Sequence, residues 1–234
     1  VIPRVSLESW PRTTIDRFVL SKMEAHGLQP TRDADKRTLI RRATFDILGL
    51  PPRLEEIDEF LADVAPDAFE RLLDRLFASP HYGEKWGRHW LDVVRYGETN
   101  GYERDGPKPY VWRFRDYVIN SFNKDKPYDQ FIREQIAGDL LPSAAGRSTD
   151  ERLIATGFLS IGPKMLAEDD PVKMEMDIID EQVDTLGRAF LGMTLGCCRC
   201  HDHKYDPISI SDYYALAGIF KSTKTMDNFR VVAR

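Results

Sequence analysis

The feature that most limits the fold of this chain is a helical spacing of apolar residues through almost its whole length. Ile15, Phe18 and Met23 lie on one face of a predicted helix, and Gly27 follows where that helix would end. Similar apolar stripes recur in the segments 39–48, 54–61, 69–77, 86–93, 110–122, 128–136, 151–158, 172–191 and 213–220. No segment alternates apolar and polar residues over a convincing strand length. The pattern predicts an all-α fold, as a single irregular multi-helix domain spanning residues 1–234.

Three segments interrupt the helical pattern and predict irregular structure. Residues 97–109 contain glycines and prolines, which favour a long loop. Residues 143–148 form a polar break, and residues 161–171 show no regular spacing. Segment 172–191 is long and amphipathic and runs almost directly into a cluster of cysteines. We therefore expect that cluster to lie at the end of a long helix.

Composition excludes several classes of protein. A chain of 234 residues is long enough to bury a sizeable core. Its net charge of −5 argues against a nucleic-acid partner, and it has no apolar run of about twenty residues that would predict a membrane span. The first residues lack both a signal-peptide pattern and an initiator Met, which predicts a processed or excerpted piece of a longer protein.

The cysteines form the most specific motif of the chain, Cys197-Cys198-Arg199-Cys200-His201. The spacing Cys-x-x-Cys-His is the attachment signature of a c-type haem. Two thiols at this spacing reach the two vinyl groups of one porphyrin, and the histidine that follows supplies an axial nitrogen to the iron. We predict one covalent haem c held by Cys197 and Cys200, with His201 as the proximal ligand, in an attachment segment at about residues 190–222.

Other chemistry also uses two cysteines at this spacing. A structural zinc site normally needs four ligands, and no cysteine lies outside this segment, so His203 would have to join Cys197, Cys200 and His201. A redox dithiol would need a strand before it and a helix after it, whereas the approach to this motif has a helical pattern. A zinc-binding or purely structural helical domain therefore remains an alternative if no haem is attached.

Several short segments resemble the planctomycete-type cytochrome-like domain, a family known as domain of unknown function 1549. The last of them is the most distinctive and contains the pattern Cys-His-Asp-His-Lys-aromatic-Asp-Pro. The segments that carry the resemblance are Ile15–Phe18, Arg37–Asp46, Gly49–Pro52, Ser79–Gly83, Arg88–Asp92, Thr99–Tyr102 and Gly196–Ile208.

The resemblance implies a single-haem protein exported by bacteria, often from loci for polysaccharide breakdown. It therefore implies a periplasmic or secreted location. Members of the family usually continue into a second conserved domain, and we expect that following domain to be absent from this chain. The position of Cys198 is commonly small in such sequences, so this cysteine departs from the pattern and is expected to be a buried thiol.

A sixth iron ligand would have to come from a residue remote from the motif. His89 is the preferred candidate and His81 lies on roughly the same side of the same predicted helix. The alternative for His89 is a half-buried side chain that hydrogen-bonds a carboxylate such as Asp92. Methionine sulfur also ligates haem in electron carriers, although core packing is the commoner role of a methionine. The methionine candidates are Met165, Met174, Met176 and Met193, and Met193 is the least favoured because it lies too near the motif.

The residues after the motif form an unusually dense polar cluster, His203-Lys204-Tyr205-Asp206. Lys204 is a candidate partner for a haem propionate. The cluster would also suit a small metal site or a proton relay beside the haem. The structural alternative is a tight turn that Asp206 and the following proline close.

The loop 98–106 is a second candidate site, because long polar loops in compact domains are usually functional or disordered. Tyr110, Trp112 and Arg113 follow it, a mixture that suits a surface binding a sugar or a propionate. The alternative is a network of arginines and carboxylates on a helix face, with Arg115 and Asp116 as its members.

Two functions follow from these predictions. The first is a redox or electron-transfer protein with a six-coordinate haem, which needs a redox partner protein or second domain. The second is a haem-dependent oxidoreductase with an open distal site that acts on a small or carbohydrate-derived substrate. The chain has more predicted helices than a small soluble cytochrome, and the additional helices would suit a docking surface or a substrate site.

Overall fold

The chain folds as an assembly of helices in the computed structural model, which describes residues 1–102, 105–142, 149–165 and 167–223. Within those ranges no strand is present, and an isolated antiparallel bridge joins Thr99 to Pro107. The predicted all-α fold is confirmed. The helices are α1 (Thr14–Ala25), α2 (Lys36–Leu48), α3 (Leu54–Ala62), α4 (Ala68–Phe77), α5 (Pro80–Val93), α6 (Trp112–Asn123), α7 (Tyr128–Ala137), α8 (Thr149–Ala155), α9 (Pro171–Leu186) and α10 (Ile210–Lys221).

Local sequence signals set the ends of several helices. Thr13 and Asp16 form a reciprocal capping box at the start of α1, and Ser209 and Asp212 do the same for α10. Helix α2 ends at Gly49, whose φ of 72° is a left-handed conformation that glycine adopts without steric cost. These helix ends lie close to those expected from the periodicity. The reason is that each cap is formed by residues only a few positions apart, so it depends on local sequence.

Two apolar cores hold the helices together. The small core joins α2, α3 and α4 and contains Ile40, Phe60 and Leu72. The large core joins α6, the 3-10 turn after α8, α9 and α10, and its fully buried members include Val118, Val183 and Tyr213. Helix α5 contacts both α2 and α6, so it connects the two halves of the structure.

Helices α5 and α6 approach closely because α5 presents glycines to α6. A Cβ atom at Gly83 would lie 2.4 Å from the Ile119 carbonyl oxygen, and the Gly83 N–H donates to Asn123 Oδ1 at 2.8 Å. A side chain at Gly83 would therefore force the two helices apart.

The connection from α9 to the cysteines differs from the predicted continuous helix. Helix α9 ends at Leu186 and widens into a π-helical turn, Gly187–Leu191. Gly192 then reverses the chain with a φ of 66°. Cys197 and Cys198 lie on a separate 3-10 helix, Gly196–Arg199, and Cys200 follows as its C-cap residue. The expectation that the motif lies on the end of the long helix is therefore wrong. Glycine at position 192 permits the left-handed conformation that breaks the helix.

The predicted irregular segments are placed only in part. Residues 97–102 and 105–109 lie outside any helix, as expected for a loop, while Glu103 and Arg104 lie outside the described residues. The polar break 143–148 also lies outside them. Among the helices that are described, none combines the length and the apolar character needed to cross a membrane.

Candidate functional site

Residues 196–201, called the cysteine segment below, are fixed to α9 and α10 by hydrogen bonds between their backbone and side chains of those helices. The Gly196 N–H donates to Asp184 Oδ1 at 3.2 Å, and the Cys198 N–H donates to the Leu195 carbonyl at 2.9 Å. From α10, the Tyr214 hydroxyl donates to the Arg199 carbonyl at 3.1 Å. The segment therefore has a defined conformation set by the two helices on either side of it.

Arg199 adds an ionic link between the motif and α9. Its Nη1 lies 2.9 Å from Asp177 Oδ1 and 3.6 Å from Asp180 Oδ2. The buried Tyr213 donates its hydroxyl to Asp180 from α10, and burial raises the pKa of Tyr213, so it remains a neutral donor. No sequence pattern marks a role for Arg199, because its partners lie about twenty positions away.

The three thiols of the segment have two different environments. Cys197 and Cys200 are exposed and free, whereas Cys198 is fully buried in the large core. Burial raises the pKa of the Cys198 thiol. The expected buried thiol at position 198 is confirmed, and the two motif thiols are the ones open to solvent and to modification.

His201 is exposed and its ring is oriented by the backbone. Its Nδ1 lies 2.7 Å from the Asp202 carbonyl oxygen. A carbonyl only accepts hydrogen bonds, so Nδ1 carries the proton and Nε2 keeps a free lone pair. This is the tautomer that a metal-bound histidine adopts when a backbone carbonyl orients it.

His203 uses its ring in the way predicted by the structural alternative, a tight turn. Its nearly buried Nδ1 accepts the Asp206 N–H at 2.9 Å and the Tyr205 N–H at 3.3 Å. The His203 N–H in turn donates to the Ile208 carbonyl at 2.8 Å. Because Nδ1 is occupied by backbone donors, His203 acts as a cap of the turn.

The described part of the chain contains no group of three or more His, Cys, Asp or Glu residues placed to hold a metal ion. The four-ligand set that the zinc alternative requires is therefore not assembled by Cys197, Cys200, His201 and His203 in this conformation.

Lys204 and His89 both lie on the surface. The Lys204 Nζ is 5.1 Å from the centre of the Tyr205 ring. His89 is exposed on α5 with its ring 5.5 Å from that of Trp86, whose indole N–H donates to the Ile47 carbonyl of α2. In the described residues no hydrogen bond or ring contact joins His89 to the cysteine segment, so its role as sixth ligand stays a prediction.

The other candidates for the sixth ligand have local roles. His81 pairs through Nδ1 with Glu84 at 2.7 Å on the surface of α5. Met174 is buried, and Met176 packs against the large core, which are the packing roles considered in the sequence analysis. Met165 is exposed.

The segment fits the predicted haem in its attaching groups. Two exposed thiols and a histidine with a free Nε2 are the donor set that covalent attachment requires. The interior next to the segment is filled by Leu195, Cys198 and Tyr213, each with at most 1% of its surface exposed. The two thiols and His201 therefore lie at the surface, over an interior that these side chains fill.

The second candidate site, the loop 98–106, is tied to the protein by a buried group of charges. We call Arg95, Lys108, Lys164 and Glu181 the cation cluster. Lys164 Nζ lies 2.6 Å from Glu181 Oε2, and Arg95 donates to Glu181 Oε1. Lys108 donates to the backbone carbonyls of 161 and 162. One carboxylate thus faces three cations.

Burial dominates the electrostatics of the two lysines. Lys164 and Lys108 expose 2% and 3% of their surface. Desolvation lowers the pKa of Lys108 to about 8, with further lowering by the nearby Lys164 charge. Desolvation also lowers the pKa of Lys164, although Glu181 opposes this shift. Among the described residues, only Glu181 forms an ion pair with Arg95 or Lys164.

The cation cluster holds the loop in place through its backbone. Asn100 is buried. Its side-chain Nδ2 donates to the Lys164 carbonyl at 2.8 Å, and its backbone N–H donates to the Gly106 carbonyl at 2.9 Å. Arg95 has a φ of 55°, a left-handed conformation that costs a non-glycine residue energy and that its contacts to Glu181 and Thr185 maintain.

The residues after the loop combine the two arrangements considered from the sequence. Arg115 donates to Asp116 Oδ1 at 2.9 Å and reaches Glu98 at 3.4 Å, which is the predicted arginine–carboxylate network. The Arg113 guanidinium lies over the rings of Tyr110 and Trp112, at 5.4 and 5.7 Å from their centres.

Sequence reasoning missed the cation cluster because its members lie at positions 95, 108, 164 and 181. No spacing rule connects them. The only local signal is a lysine in the apolar segment Ile161-Gly162-Pro163-Lys164.

Comparison with known proteins identifies a family. No curated protein and no solved structure matches the chain. A family model described as "PSCyt2: Protein of unknown function (DUF1549)" matches residues 14–225, which include helices α1 to α10 and the cysteine segment. The match spans most of the chain and agrees with the resemblance found in its motifs. The chain therefore belongs to the DUF1549 family.

Proposed function

We propose that this protein is a c-type haem protein with a redox or electron-transfer function, carrying one haem attached through Cys197 and Cys200. The observation that carries the proposal is the exposure of both motif thiols beside a histidine whose Nε2 is free. The third thiol, Cys198, is buried, so the two exposed thiols are those at the spacing that attachment requires.

Each residue of the segment has a specific part in this proposal. Cys197 and Cys200 would form the thioether links, and His201 would offer Nε2 to the iron while its Nδ1 donates to the Asp202 carbonyl. When bound, the haem supplies an iron that accepts and releases one electron. Arg199 anchors the segment to α9 through its ion pair with Asp177.

The exposed position of the segment supports electron transfer to a partner. A redox partner protein or a second domain would reach the haem edge across the surface that bears Cys197 and Cys200. Lys204 is exposed next to this surface and remains a candidate partner for a propionate. The periplasmic or secreted location proposed here rests on the resemblance of the motifs and on the compartment in which c-type haem proteins work.

The test is the absorption spectrum of the purified protein, produced together with a c-type haem attachment system, before and after pyridine haemochrome treatment. We expect a c-type band in the wild type. The variants C197S and C200S should each lose normal two-link attachment, and C198A should retain it as the matched control. Absence of the band in the wild type, or an equal loss in C198A, would contradict the proposal.

The same preparation distinguishes the two redox functions. A low-spin spectrum that cyanide and peroxide leave unchanged would support electron transfer with a sixth protein ligand. A high-spin spectrum that changes with peroxide would instead support the haem-dependent oxidoreductase. Replacing His89 by alanine should change the low-spin spectrum if His89 is the sixth ligand, and H81A is the matched control on the same helix. Zinc at one ion per chain without haem would favour the structural alternative.

A further inference from the structure

A cavity of about 400 Å³ lies beside the cation cluster, away from the cysteine segment. It opens between the start of α6 and the segment from α8 to residue 161, and Lys108, Tyr110, Arg113 and Ser160 are among the residues in its walls. This volume falls within the range of roughly 300–1,000 Å³ that is typical of small-molecule sites.

The walls of this cavity carry positive charge without a balancing carboxylate. Among the described residues that line it, Lys108 and Arg113 are charged and none is Asp or Glu. In the described part of the chain no carboxylate forms an ion pair with either side chain. An anion would find two cations already facing the same space.

The Lys108 ammonium has an unused donor. An ammonium carries three N–H bonds, and two of those of Lys108 go to the carbonyls of Ile161 and Gly162. Ile161 also lines the cavity, so the end of the lysine lies at its wall. The third N–H has no acceptor among the described residues, and an unpaired donor on a buried charge is costly.

The neighbouring carboxylate does not neutralise this charge. Glu181 is already shared by Lys164 and Arg95, so the cation cluster keeps an excess of positive charge. Bringing an anion to Lys108 would offset that excess in a region with little water to do so.

The rest of the wall is suited to the body of an organic molecule. Tyr110 and Phe114 contribute rings, and Leu153 contributes an apolar side chain at the mouth, where it is exposed. Ser160 adds a hydroxyl that donates to the Gly157 carbonyl and keeps its own oxygen as an acceptor. The Arg113 guanidinium lies near the rings of Tyr110 and Trp112, and a guanidinium can bind a planar carboxylate through two parallel hydrogen bonds.

We propose that this cavity binds a small organic carboxylate, whose carboxylate group pairs with Lys108 and Arg113 while its ring or chain contacts Tyr110, Phe114 and Leu153. The proposal does not depend on haem attachment, because none of these residues belongs to the cysteine segment.

The experiment is a titration of the full chain, followed by isothermal calorimetry and by the fluorescence of its tryptophans, one of which is Trp112. The probes are glucuronate and benzoate, which share a carboxylate on a ring, with glucose and benzyl alcohol as their neutral counterparts. We expect one or both carboxylates to bind and both neutral compounds to fail. Preference between the two acids tells whether the body is a sugar or an aromatic ring.

Three variants test whether the carboxylate binds in this cavity. R113Q should weaken the carboxylate about tenfold or more, since it removes a charge-assisted hydrogen bond. L153E places a negative charge at the exposed mouth without altering the core and should weaken it too. R133Q is the matched control, because Arg133 is an exposed arginine of α7 that pairs only with Asp129 within the described residues.

Three outcomes would overturn the proposal. The first is that neither acid binds at millimolar concentration, and the second is that the neutral compounds bind as well as the acids. The third is a loss of haem in R113Q, which would assign these cations to haem propionates. Haem retained in R113Q with weaker carboxylate binding supports the cavity as an independent site.

Discussion

The cysteine segment and the cation cluster place their charged and reactive groups in opposite ways. In the segment, Cys197, Cys200 and His201 are exposed, and the group that orients the His201 ring is the carbonyl of the next residue. In the cation cluster, Lys108 and Lys164 are buried and their partners come from distant parts of the chain. Changes to the exposed groups of the segment should therefore have little effect on stability. Changes to the buried groups of the cation cluster should destabilise the fold around the loop 98–106.

The largest expected effect on stability comes from a substitution that breaks the cation cluster. Replacing Glu181 with glutamine removes the carboxylate that, among the described residues, pairs with Arg95 and Lys164. The buried Lys164 is then left without a counter-charge. We expect a loss of about 3–5 kcal/mol in the free energy of unfolding, measured by urea denaturation.

Glu175 provides the matched control for that substitution. It lies on the same helix, α9, and pairs at 3.8 Å with the exposed Lys221. E175Q should change the free energy of unfolding by about 0–1 kcal/mol. Equal losses in E181Q and E175Q would show that the cation cluster has no special weight in stability.

The next effect separates the thiols within the cysteine segment. Replacing Cys198 with serine puts a hydroxyl in the large core, where the nearest acceptor of the thiol is the Ile208 carbonyl at 3.8 Å, too long for an oxygen donor. We expect a loss of about 1–3 kcal/mol in the haem-free protein, measured by thermal or urea unfolding. C197S and C200S, at exposed positions, should stay within about 0.5 kcal/mol of the wild type. A similar loss for all three would contradict the difference in burial.

A smaller effect follows from the pKa of Lys108, which burial lowers to about 8 from the ordinary 10.5. Between these values the unfolded chain keeps a proton that the folded chain has released, so stability rises with pH. Lys164, Glu181, Arg95 and Asp105 are the charged groups that act on this lysine, and Lys164 is shifted in the same direction. We expect a gain of about 1 kcal/mol between pH 8 and 9.

At higher pH the buried Cys198 thiol changes stability in the opposite direction. Its pKa is raised from 9.0, so the folded chain holds a proton that the unfolded chain loses. Urea midpoints measured at pH 7.5, 8 and 9 in C198A isolate the lysines, and K108M should reduce the gain. A free energy of unfolding that falls between pH 8 and 9 in C198A would contradict a buried, proton-releasing lysine pair.

The same contrast explains what the sequence could predict. The all-α fold and most helix positions follow from apolar spacing and from caps such as Thr13 with Asp16, which are local. The motif at Cys197–His201 was visible because its chemistry depends on a spacing of a few residues. The cation cluster was not, since Lys108 meets its acceptors some fifty positions away.

Backbone reversals were the other limit of prediction. The periodicity of segment 172–191 continues past Leu186, but the π-helical turn and Gly192 redirect the chain before the cysteines. Gly187 allows this path because a Cβ atom there would lie 2.5 Å from Leu195 Cγ. The spacing of apolar residues carries no information about such close contacts between distant backbone segments.

The most direct test of the account is the mass of the peptide that contains residues 197–201, from the protein matured with a haem attachment system. The account predicts that this peptide carries the mass of one haem on Cys197 and Cys200, and that Cys198 reacts with a thiol reagent only after unfolding. A peptide without haem, or one in which Cys198 is a site of attachment, would contradict it.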